Sequence, residues 1–334
     1  MSTGLQPFFI FGSPRSGTSL LSRMLDSHEN LVVPNESLIF KMFSRSLSTY
    51  GDLNEQLNQK RLLKDILSTR VIRYWKPPAS FNEVAPLITR GGFAGVVEAL
   101  IRSRAVDKHL TAWGEKSPGH AFYWEEIRNT FPEAKVIHIL RDGRDVASSI
   151  IKARMGPSTY YAAARMWSDY LDAVEHIKSR CENDAFFELR YENLLAEPVN
   201  TLRMTCEFLE VPYSESMRMF YRQDTNYRTD ERNLENLNKP LITTNKEKWR
   251  RSLTDRQLLE FENVAGYHLD QYGYGRSTTG ELGPVRLFLA RYVRSPGLRL
   301  ISRALDFQGQ REFLNLMWIR LWRRMRNLFH CRPG

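Results

Sequence analysis

Cysteine is scarce in this 334-residue sequence, which contains only Cys181, Cys206 and Cys331 and no C-x-x-C pair. An odd, scattered set predicts neither a disulfide framework nor a zinc site, and it is typical of a reducing compartment. The first residues lack a basic segment followed by an apolar core, so we predict no signal peptide. Uninterrupted apolar runs stay well short of the roughly 18 residues that span a membrane. These absences favour a cytoplasmic globular protein.

Acidic residues are almost absent from the C-terminal part of the chain. From Leu282 onward there are eleven arginines but only Asp306 and Glu312, whereas the preceding residues hold 37 basic and 36 acidic side chains. The net charge of +10 therefore belongs to a C-terminal extension. A glycine-rich linker precedes this extension, so we predict a main domain at 1–276 and a basic helical extension at 277–334.

The extension contains a predicted amphipathic helix at 311–329. Its apolar side carries tryptophan and phenylalanine and its polar side carries arginines, a pattern that suits peripheral binding to an anionic membrane surface. Docking of the apolar side on the main domain is the alternative, and the sequence leaves both open. Nucleic acid is not favoured as a partner, because no recognition module accompanies the charge. The apolar positions are Leu314, Met317, Trp318, Leu321, Met325, Leu328 and Phe329.

The loop from Gly12 to Gly17 has the pattern of a phosphate-binding site. An apolar strand precedes it, and leucine and methionine at helical spacing follow it. Such a loop ends at a helix N-terminus, where free N–H groups attract an oxyanion. The spacing imitates G-x-x-x-x-G-K-[ST], but Thr18 replaces the lysine and the cation is Arg15. The pattern favours binding of a phosphate group that does not belong to a magnesium-bound nucleoside triphosphate. An ordinary strand-to-helix turn is the alternative.

Apolar strand segments alternate with amphipathic helical segments along most of the main domain. This alternation predicts a three-layer α/β fold, a parallel sheet with helices on both faces. Residues 52–110 have the pattern of a mostly helical insertion, and residues 223–246 that of a long loop without periodicity. The predicted strands are 8–11, 31–33, 111–116, 135–140 and 186–191. The predicted helices include 38–47, 121–130 and one that follows Glu192-Asn193 and runs through Leu209.

Three sequence blocks, each at the end of a predicted strand, resemble one protein family when taken in order. They are GSPRSGTS at 12–19, LRDGRDVASS at 140–149 and RYENLL at 190–195. Together they resemble the sulfotransferases that use 3′-phosphoadenosine 5′-phosphosulfate (PAPS), and they are closest to the branch that includes the tyrosylprotein sulfotransferases. The resemblance extends over 7–275 and implies a fold of the P-loop nucleoside triphosphate hydrolase type.

The resemblance also implies which residues bind PAPS. Arg141 and Ser149 would bind the 3′-phosphate, and Tyr191 would lie near the nucleotide. Lys248, in a Lys-Trp pair, would close the nucleotide site. The 5′-phosphosulfate would be bound by Arg15, Ser16, Gly17, Thr18 and Ser19.

One position departs from the family pattern. Tyrosylprotein sulfotransferases carry a further arginine twelve residues after the one that matches Arg141, and this chain has Ala153 there. Lys152 or Arg154 would have to replace that contact.

Sulfuryl transfer needs cations at the leaving oxygen, donors on the sulfuryl oxygens and a base at the acceptor. Arg15 and the loop N–H groups would supply donors on the leaving side. The resemblance implies Glu36 as the base, because it is the only carboxylate in the turn after the second strand, and Lys116 as the lysine at the bridging oxygen. The alternatives are a helix-start acid for Glu36 and a solvated strand-end lysine for Lys116.

Histidines and aspartates offer rival assignments. His28 and His120 are rival bases, because cytosolic sulfotransferases use histidine; otherwise His28 would cap the first helix and His120 would begin the next one. His138 lies in a buried strand, and we predict a hydrogen-bonded core residue. Asp142 and Asp145 have the spacing of a magnesium-binding pair, but ion pairs with the adjacent arginines are favoured, and we predict no metal site.

The sequence therefore predicts a PAPS-dependent sulfotransferase whose acceptor is a hydroxyl or an amine. A glycan, a lipid, a peptide or a small metabolite would serve as acceptor, and no motif decides between them. A P-loop kinase or NTPase is the rival enzyme. The non-enzymatic alternative is a membrane-surface protein with the same fold.

Overall fold

The computed structural model describes residues 4–105, 108–153, 156–222 and 235–283. The predicted amphipathic helix at 311–329, Arg154 and the first half of the predicted loop at 223–246 lie outside the described residues. Within those ranges, no helix is both long and apolar enough to cross a membrane.

Five parallel strands of the described residues, numbered β1 to β5 along the chain, form one sheet. Their order in the sheet is β2-β3-β1-β4-β5. The predicted parallel α/β sheet is therefore confirmed. The order places β1 between β3 and β4, so the turns that follow these three strands meet at one edge of the sheet, where α/β proteins bind ligands. The strands are β1 Gln6–Phe11, β2 Leu31–Val32, β3 Ala112–Glu115, β4 Lys135–Leu140 and β5 Phe186–Arg190.

Helices cover both faces of this sheet. The α-helices of the described residues are α1 Thr18–Asp26, α2 Ile39–Phe43, α3 Gln56–Leu67, α4 Arg70–Arg73, α5 Phe81–Val84, α6 Gly92–Arg102, α7 Trp124–Thr130, α8 Gly143–Ala153, α9 Tyr160–Lys178, α10 Tyr191–Ala196, α11 Pro198–Phe208, α12 Trp249–Ser252 and α13 Asp255–Gln271. Residues 52–110 are mostly helical, as the sequence predicts.

Strand β1 is buried on both faces because its successive side chains enter different cores. Phe9 and Phe11 pack in a cluster with α3, α6 and α7. Phe8 and Ile10 pack in a second cluster with α1, α10 and α11. This explains why the strand has a continuous apolar run rather than an alternating one.

Three predicted helices differ from the structure in where the α-helix begins or ends. The predicted helix at 121–130 begins as a 3-10 helix, Pro118–Tyr123, and becomes α-helical at Trp124. The predicted helix that runs through Leu209 is two helices, because Glu197 leaves helical geometry just before Pro198. The predicted helix at 38–47 is the short α2 followed by a 3-10 helix, Ser44–Tyr50.

The chain continues to pack on the main domain beyond residue 276. The buried Glu262 carboxylate of α13 accepts hydrogen bonds from the backbone and hydroxyl groups of Ser277 and Thr278. Further on, the Leu282 N–H donates to Asn263 Oδ1 at 2.8 Å. A separate extension at 277–334 stays a prediction, because most of it lies outside the described residues.

Candidate active site

The loop between β1 and α1 presents backbone N–H groups to one side of the sheet. It turns tightly, with the Ser16 N–H donating to the Ser13 carbonyl at 3.0 Å. Arg15 and Gly17 have positive φ values of 71° and 104°. Gly17 precedes the first helical residue and has no side chain that could cap α1. The N–H groups of the first turn are therefore left for an anion.

Two glycines let the loop fit against its neighbours. A Cβ atom at Gly12 would lie 2.6 Å from both the Ile139 carbonyl oxygen and Ser16 Oγ. A Cβ atom at Gly17 would lie 2.4 Å from Cδ2 of Tyr191, whose ring covers the loop. Because the closest atoms belong to backbone or to a buried ring, these contacts have little room to relax.

One buried polar atom of the loop has no hydrogen-bond partner among the described residues. Ser16 is almost fully buried, and its Oγ makes no hydrogen bond to any residue that the structure describes. A buried hydroxyl without a partner costs free energy. An oxyanion seated on the loop would satisfy it, so the loop fits the phosphate group that its sequence predicts.

Two guanidinium groups meet beside the loop. Arg15 Nε donates to Ser149 Oγ at 3.0 Å, and Arg141 Nη1 donates to the Arg15 carbonyl at 3.0 Å. Burial and then the charge of Arg141 lower the pKa of Arg15. Two like charges held together are stabilised by an anion between them. The structure thus brings together Arg15, Ser149 and Arg141, which lie far apart in sequence.

Tyr191 forms the next wall of the site. The Arg141 guanidinium lies 4.3 Å from the centre of the Tyr191 ring. Asn245 donates to the Tyr191 hydroxyl at 2.8 Å, and its carbonyl accepts from Arg141 Nη2 at 2.9 Å. Sequence analysis missed Asn245, because it lies in a segment without periodicity; its partners are the only signal for it.

A cleft that is open to solvent lies over the loop. Arg15, Thr18, Ser19 and Arg141 form its polar end. The other wall is apolar, which suits a base or another flat ring, and consists of Leu20, Leu195, Phe220, Leu237, Leu241 and Ile242.

Lys116 joins the loop to the turn after β2. Its Nζ donates to Glu36 Oε1 at 2.7 Å and to Ser19 Oγ at 3.1 Å. The Lys116 side chain is 1% exposed, so it is not a solvated strand-end lysine, whereas the Glu36 side chain is 37% exposed. Glu36 also lies outside α2, which begins at Ile39, so its contact is with the lysine rather than with a helix N-terminus.

The histidines are engaged away from the cleft. His120 is fully buried, and its Nδ1 donates to Glu115 Oε2 at 2.8 Å. It lies in the 3-10 helix before α7 rather than at the start of the α-helix. The prediction that His138 is a hydrogen-bonded core residue is confirmed, since its Nδ1 lies 2.8 Å from Glu188 Oε2.

His28 is not a helix cap through its ring. Its Nδ1 accepts from the Asn30 N–H at 2.9 Å, so the proton is on Nε2, which donates to the Pro212 carbonyl at 2.6 Å. Only the backbone N–H of His28 bonds to α1, at the Leu25 carbonyl. The ring therefore ties α1 to the 209–214 segment and has no free nitrogen for proton transfer.

The aspartates of the second block form the predicted ion pairs. Asp142 receives two hydrogen bonds from the Arg144 guanidinium, at 3.0 and 2.8 Å. Asp145 lies 3.6 Å from Arg141 and accepts from the Trp249 N–H at 2.8 Å. In the part of the chain that the structure describes, no group of three or more His, Cys, Asp and Glu side chains could hold a metal ion.

The structure does not bring Lys248 into the cleft. Trp249 is buried and stacks on Arg144, whose guanidinium lies 3.8 Å from the ring centre. Lys248 precedes it and is exposed, outside the cleft lining formed by the described residues. Lys152, the described alternative to the missing family arginine, is also exposed, in the last turn of α8.

Replacing Gly17 by alanine is expected to abolish nucleotide binding. The new Cβ would overlap the Tyr191 ring, and an alanine with positive φ costs about 1–3 kcal/mol of stability. Gly156→Ala is a matched control, because Gly156 has φ 103° and no described heavy atom within 4 Å of its Cβ position. Calorimetric titration with 3′,5′-phosphoadenosine (PAP) checks this. Equal PAP affinity in the two variants would contradict the assignment of the loop.

A known protein family matches a large part of this sequence. The sequence model of the Sulfotransferase family matches residues 7–215, which is more than half of the chain. The chain therefore belongs to the sulfotransferase family, and the resemblance drawn from the three sequence blocks is confirmed.

Individual relatives are distant and longer than the matched region. The chain is 23% identical over 221 residues to a protein-tyrosine sulfotransferase of Drosophila melanogaster, a match that covers 63% of this chain and 39% of that enzyme. It is 26% identical over 261 residues to an uncharacterised protein of Aquifex aeolicus, covering 74% of this chain and 30% of that protein. The chain thus spans well under half the length of these two relatives.

A solved structure shares the fold. The sulfotransferase domain of the Synechococcus olefin synthase superposes with a TM-score of 0.58 at 23% identity, over 79% of this chain and 95% of that domain. The predicted P-loop nucleoside triphosphate hydrolase-like fold is therefore confirmed.

Proposed function

We propose that this protein transfers the sulfuryl group of PAPS to a hydroxyl group, or to an amine, of an acceptor molecule. The observation that carries the proposal is the position of Lys116, whose Nζ contacts Ser19 on the phosphate-binding loop and Glu36 on the opposite turn. A cation thus lies between a site for a phosphate and a carboxylate that is open to solvent. Sulfuryl transfer requires this order of groups.

The described residues fit the donor. The loop N–H groups, Ser16 and Arg15 would hold the 5′-phosphosulfate, and Arg141 with Ser149 would hold the 3′-phosphate. The apolar wall of the cleft, beside Tyr191, would hold the adenine. Arg15, Lys116 and Arg141 supply the positive charge that phosphoryl-transfer enzymes obtain in part from a metal ion.

The proposed reaction is an in-line displacement. The acceptor oxygen forms a bond to sulfur, and its proton passes to the Glu36 carboxylate. The bond between sulfur and the bridging oxygen breaks, and PAP leaves with that electron pair. Lys116 and Ser19 would donate to the leaving oxygen, and donors held in position before the reaction lower its barrier. Glu36 acts as general base.

The rival functions differ from the proposed one in what they require of the buried lysine. A P-loop kinase or NTPase would place a lysine at Thr18, whereas the buried ammonium here comes from Lys116 after β3. A non-catalytic scaffold would have no need of a buried lysine paired with a half-exposed carboxylate. A cytoplasmic location and a peripheral membrane contact through the basic extension are compatible with the proposal and stay predictions.

Calorimetric titration with PAP, and with ATP and magnesium, tests the donor assignment. We expect PAP to bind with micromolar or tighter affinity and to raise the melting temperature, as mass action requires for a ligand of the folded state. We expect no ATP hydrolysis. Absence of heat with PAP would favour the scaffold, and ATP hydrolysis that is lost in Arg15→Ala would favour the NTPase.

Arg141→Ala is expected to weaken PAP binding by about 10-fold to 100-fold, since a hydrogen bond to a charged group contributes about 1.5–3 kcal/mol. Adenosine 5′-phosphate, which has no 3′-phosphate, should lose much less affinity. The exposed Arg165 of α9 provides the control variant Arg165→Ala. An equal loss for both nucleotides in Arg141→Ala would place the 3′-phosphate elsewhere.

A further inference from the structure

We propose that Glu115 is a positioning residue that holds the Glu36–Lys116 pair in its reactive arrangement. This inference rests on the proposed function for its kinetic consequence, but its geometric consequence can be measured without turnover. Glu115 is the last residue of β3 and directly precedes Lys116. It is 2% exposed, so its carboxylate is not part of the cleft surface.

The Glu115 carboxylate ties together the two turns that carry the pair. Its Oε1 accepts from Ser37 Oγ at 2.7 Å and from Ser117 Oγ at 2.6 Å. Ser37 directly follows Glu36, and Ser117 directly follows Lys116. One oxygen atom therefore links the neighbours of both residues, which are 80 positions apart in sequence.

Ser117 completes this link at the backbone. Its Oγ accepts from the N–H groups of Ser37 and Leu38, both at 3.2 Å. Leu38 has a φ of 51°, which is uncommon for a leucine and is held here by these bonds. On the other side of the turn, Trp75 Nε1 donates to the Glu36 carbonyl at 3.1 Å. The backbone around Glu36 is thus fixed from two directions.

His120 holds the second oxygen of Glu115. Its Nδ1 donates to Oε2 at 2.8 Å, and its ring packs edge-on against Phe40 with centroids 5.4 Å apart. Burial opposes ionisation of Glu115, but His120 and the hydroxyls of Ser117 and Ser37 outweigh it and lower the pKa of Glu115 to about 2. Glu115 is therefore an ionised, fully hydrogen-bonded anchor at neutral pH.

The contacts define an outer layer, formed by Glu36 and Lys116, and an inner layer, formed by Glu115 and His120. Lys116 contacts Ser19, which lines the cleft, and the partly exposed Glu36, whereas Glu115 and His120 are buried. A carboxylate in that inner layer cannot act on the acceptor, but it sets where the two outer groups lie. A misplacement of about 1 Å in a reacting group can cost about a hundredfold in rate.

Glu115→Gln tests the inference, because glutamine keeps the size of the side chain but replaces one acceptor oxygen with a donor. We expect kcat for sulfuryl transfer to fall by about 10-fold to 100-fold. The KM for PAPS and the affinity for PAP should change less than about twofold, because the loop and Arg141 do not touch Glu115. Ser117→Ala should act in the same direction, through loss of the same link.

Glu188→Gln is the matched control, since Glu188 also pairs with a histidine, His138, at 2.8 Å in the neighbouring strands. It should lower stability without lowering kcat. An unchanged kcat in Glu115→Gln would overturn the inference, as would a parallel loss of kcat and PAP affinity. Absence of transfer by the wild-type protein would instead contradict the proposed function.

Crystal structures of the wild type and of Glu115→Gln give the second readout, independent of turnover. We expect the distance from Lys116 Nζ to the Glu36 carboxylate to exceed hydrogen-bonding range in the variant. A distance unchanged from the 2.7 Å seen here would overturn the inference whatever the kinetics show.

Discussion

Replacing Glu36 by glutamine is expected to lower sulfuryl transfer by about 10²–10⁴-fold, the usual contribution of a general base. Glutamine can still accept a hydrogen bond from Lys116, so the fold and the lysine position should be kept, but it cannot take a proton from the acceptor. Affinity for PAP should stay unchanged, because Glu36 lies on the opposite side of Lys116 from the phosphate-binding loop. Steady-state kinetics and PAP titration of the same preparation measure both quantities.

The exposed Glu29 provides the control, and Glu29→Gln should retain full activity. Intact turnover in Glu36→Gln would show that the base is elsewhere. Both ring nitrogens of His28 are hydrogen-bonded, so His28 is not a ready substitute, whereas His120 Nε2 has no hydrogen-bond partner among the described residues and would then be the next candidate. A loss of PAP affinity in parallel with turnover would point to a role of Glu36 in donor binding instead.

Replacing Lys116 by methionine is the second change with a large expected effect. Methionine fills a similar volume in the buried site but removes the only charge that contacts both Ser19 and Glu36 in the described structure. Loss of one preassembled donor to a developing negative charge typically costs about 10²–10³ in kcat. The KM for the acceptor should change little, so the effect should fall on kcat.

Lys41→Met, at an exposed position of α2, is the control for loss of a positive charge near this turn. The double variant Glu36→Gln, Lys116→Met should lose much less than the product of the two single effects, because groups that act as one unit are not additive. Fully multiplicative losses would mean that the two residues act independently, against the contact between them.

The sheet could be predicted because its strands have simple patterns. The apolar run at 8–11 indicates a strand buried on both faces, and the structure sends Phe8 and Phe9 into different cores. The loop between β1 and α1 could also be predicted, because local geometry and close packing require glycine at Gly12 and Gly17. Lys116 and Arg141 lie at the ends of predicted strands, so a parallel sheet brings both to the same edge.

Other parts of the site could not be read from sequence, because they depend on contacts between distant segments. Asn245 meets Tyr191 and Arg141 only in the folded chain. Trp75, in the helical insertion, has the pattern of an ordinary core residue, yet its indole holds the Glu36 carbonyl. The predicted helix through Leu209 is interrupted at Pro198 for a local reason, since proline lacks the N–H that an α-helix needs in its interior.

Ala153 stands at the position where the family pattern has a further arginine. The structure places Lys152 in solvent, and Arg154 lies outside the described residues. Arg15 and Ser149 make a direct contact at 3.0 Å, so the residues proposed for the 5′-phosphosulfate and for the 3′-phosphate meet without that further arginine. This is the reason that we base the donor assignment on Arg141 and Ser149 rather than on the last turn of α8.

Transfer of label from PAPS tests the central claim most directly. PAPS labelled in its sulfuryl group is incubated with fractions of lipid, glycan, peptide and small metabolites, in parallel with wild-type protein and with Glu36→Gln. We predict that wild-type protein moves label into one fraction and releases an equal amount of PAP, and that the variant binds PAP but moves no label. Tight PAP binding with no labelled fraction, or equal labelling by both proteins, would contradict the account.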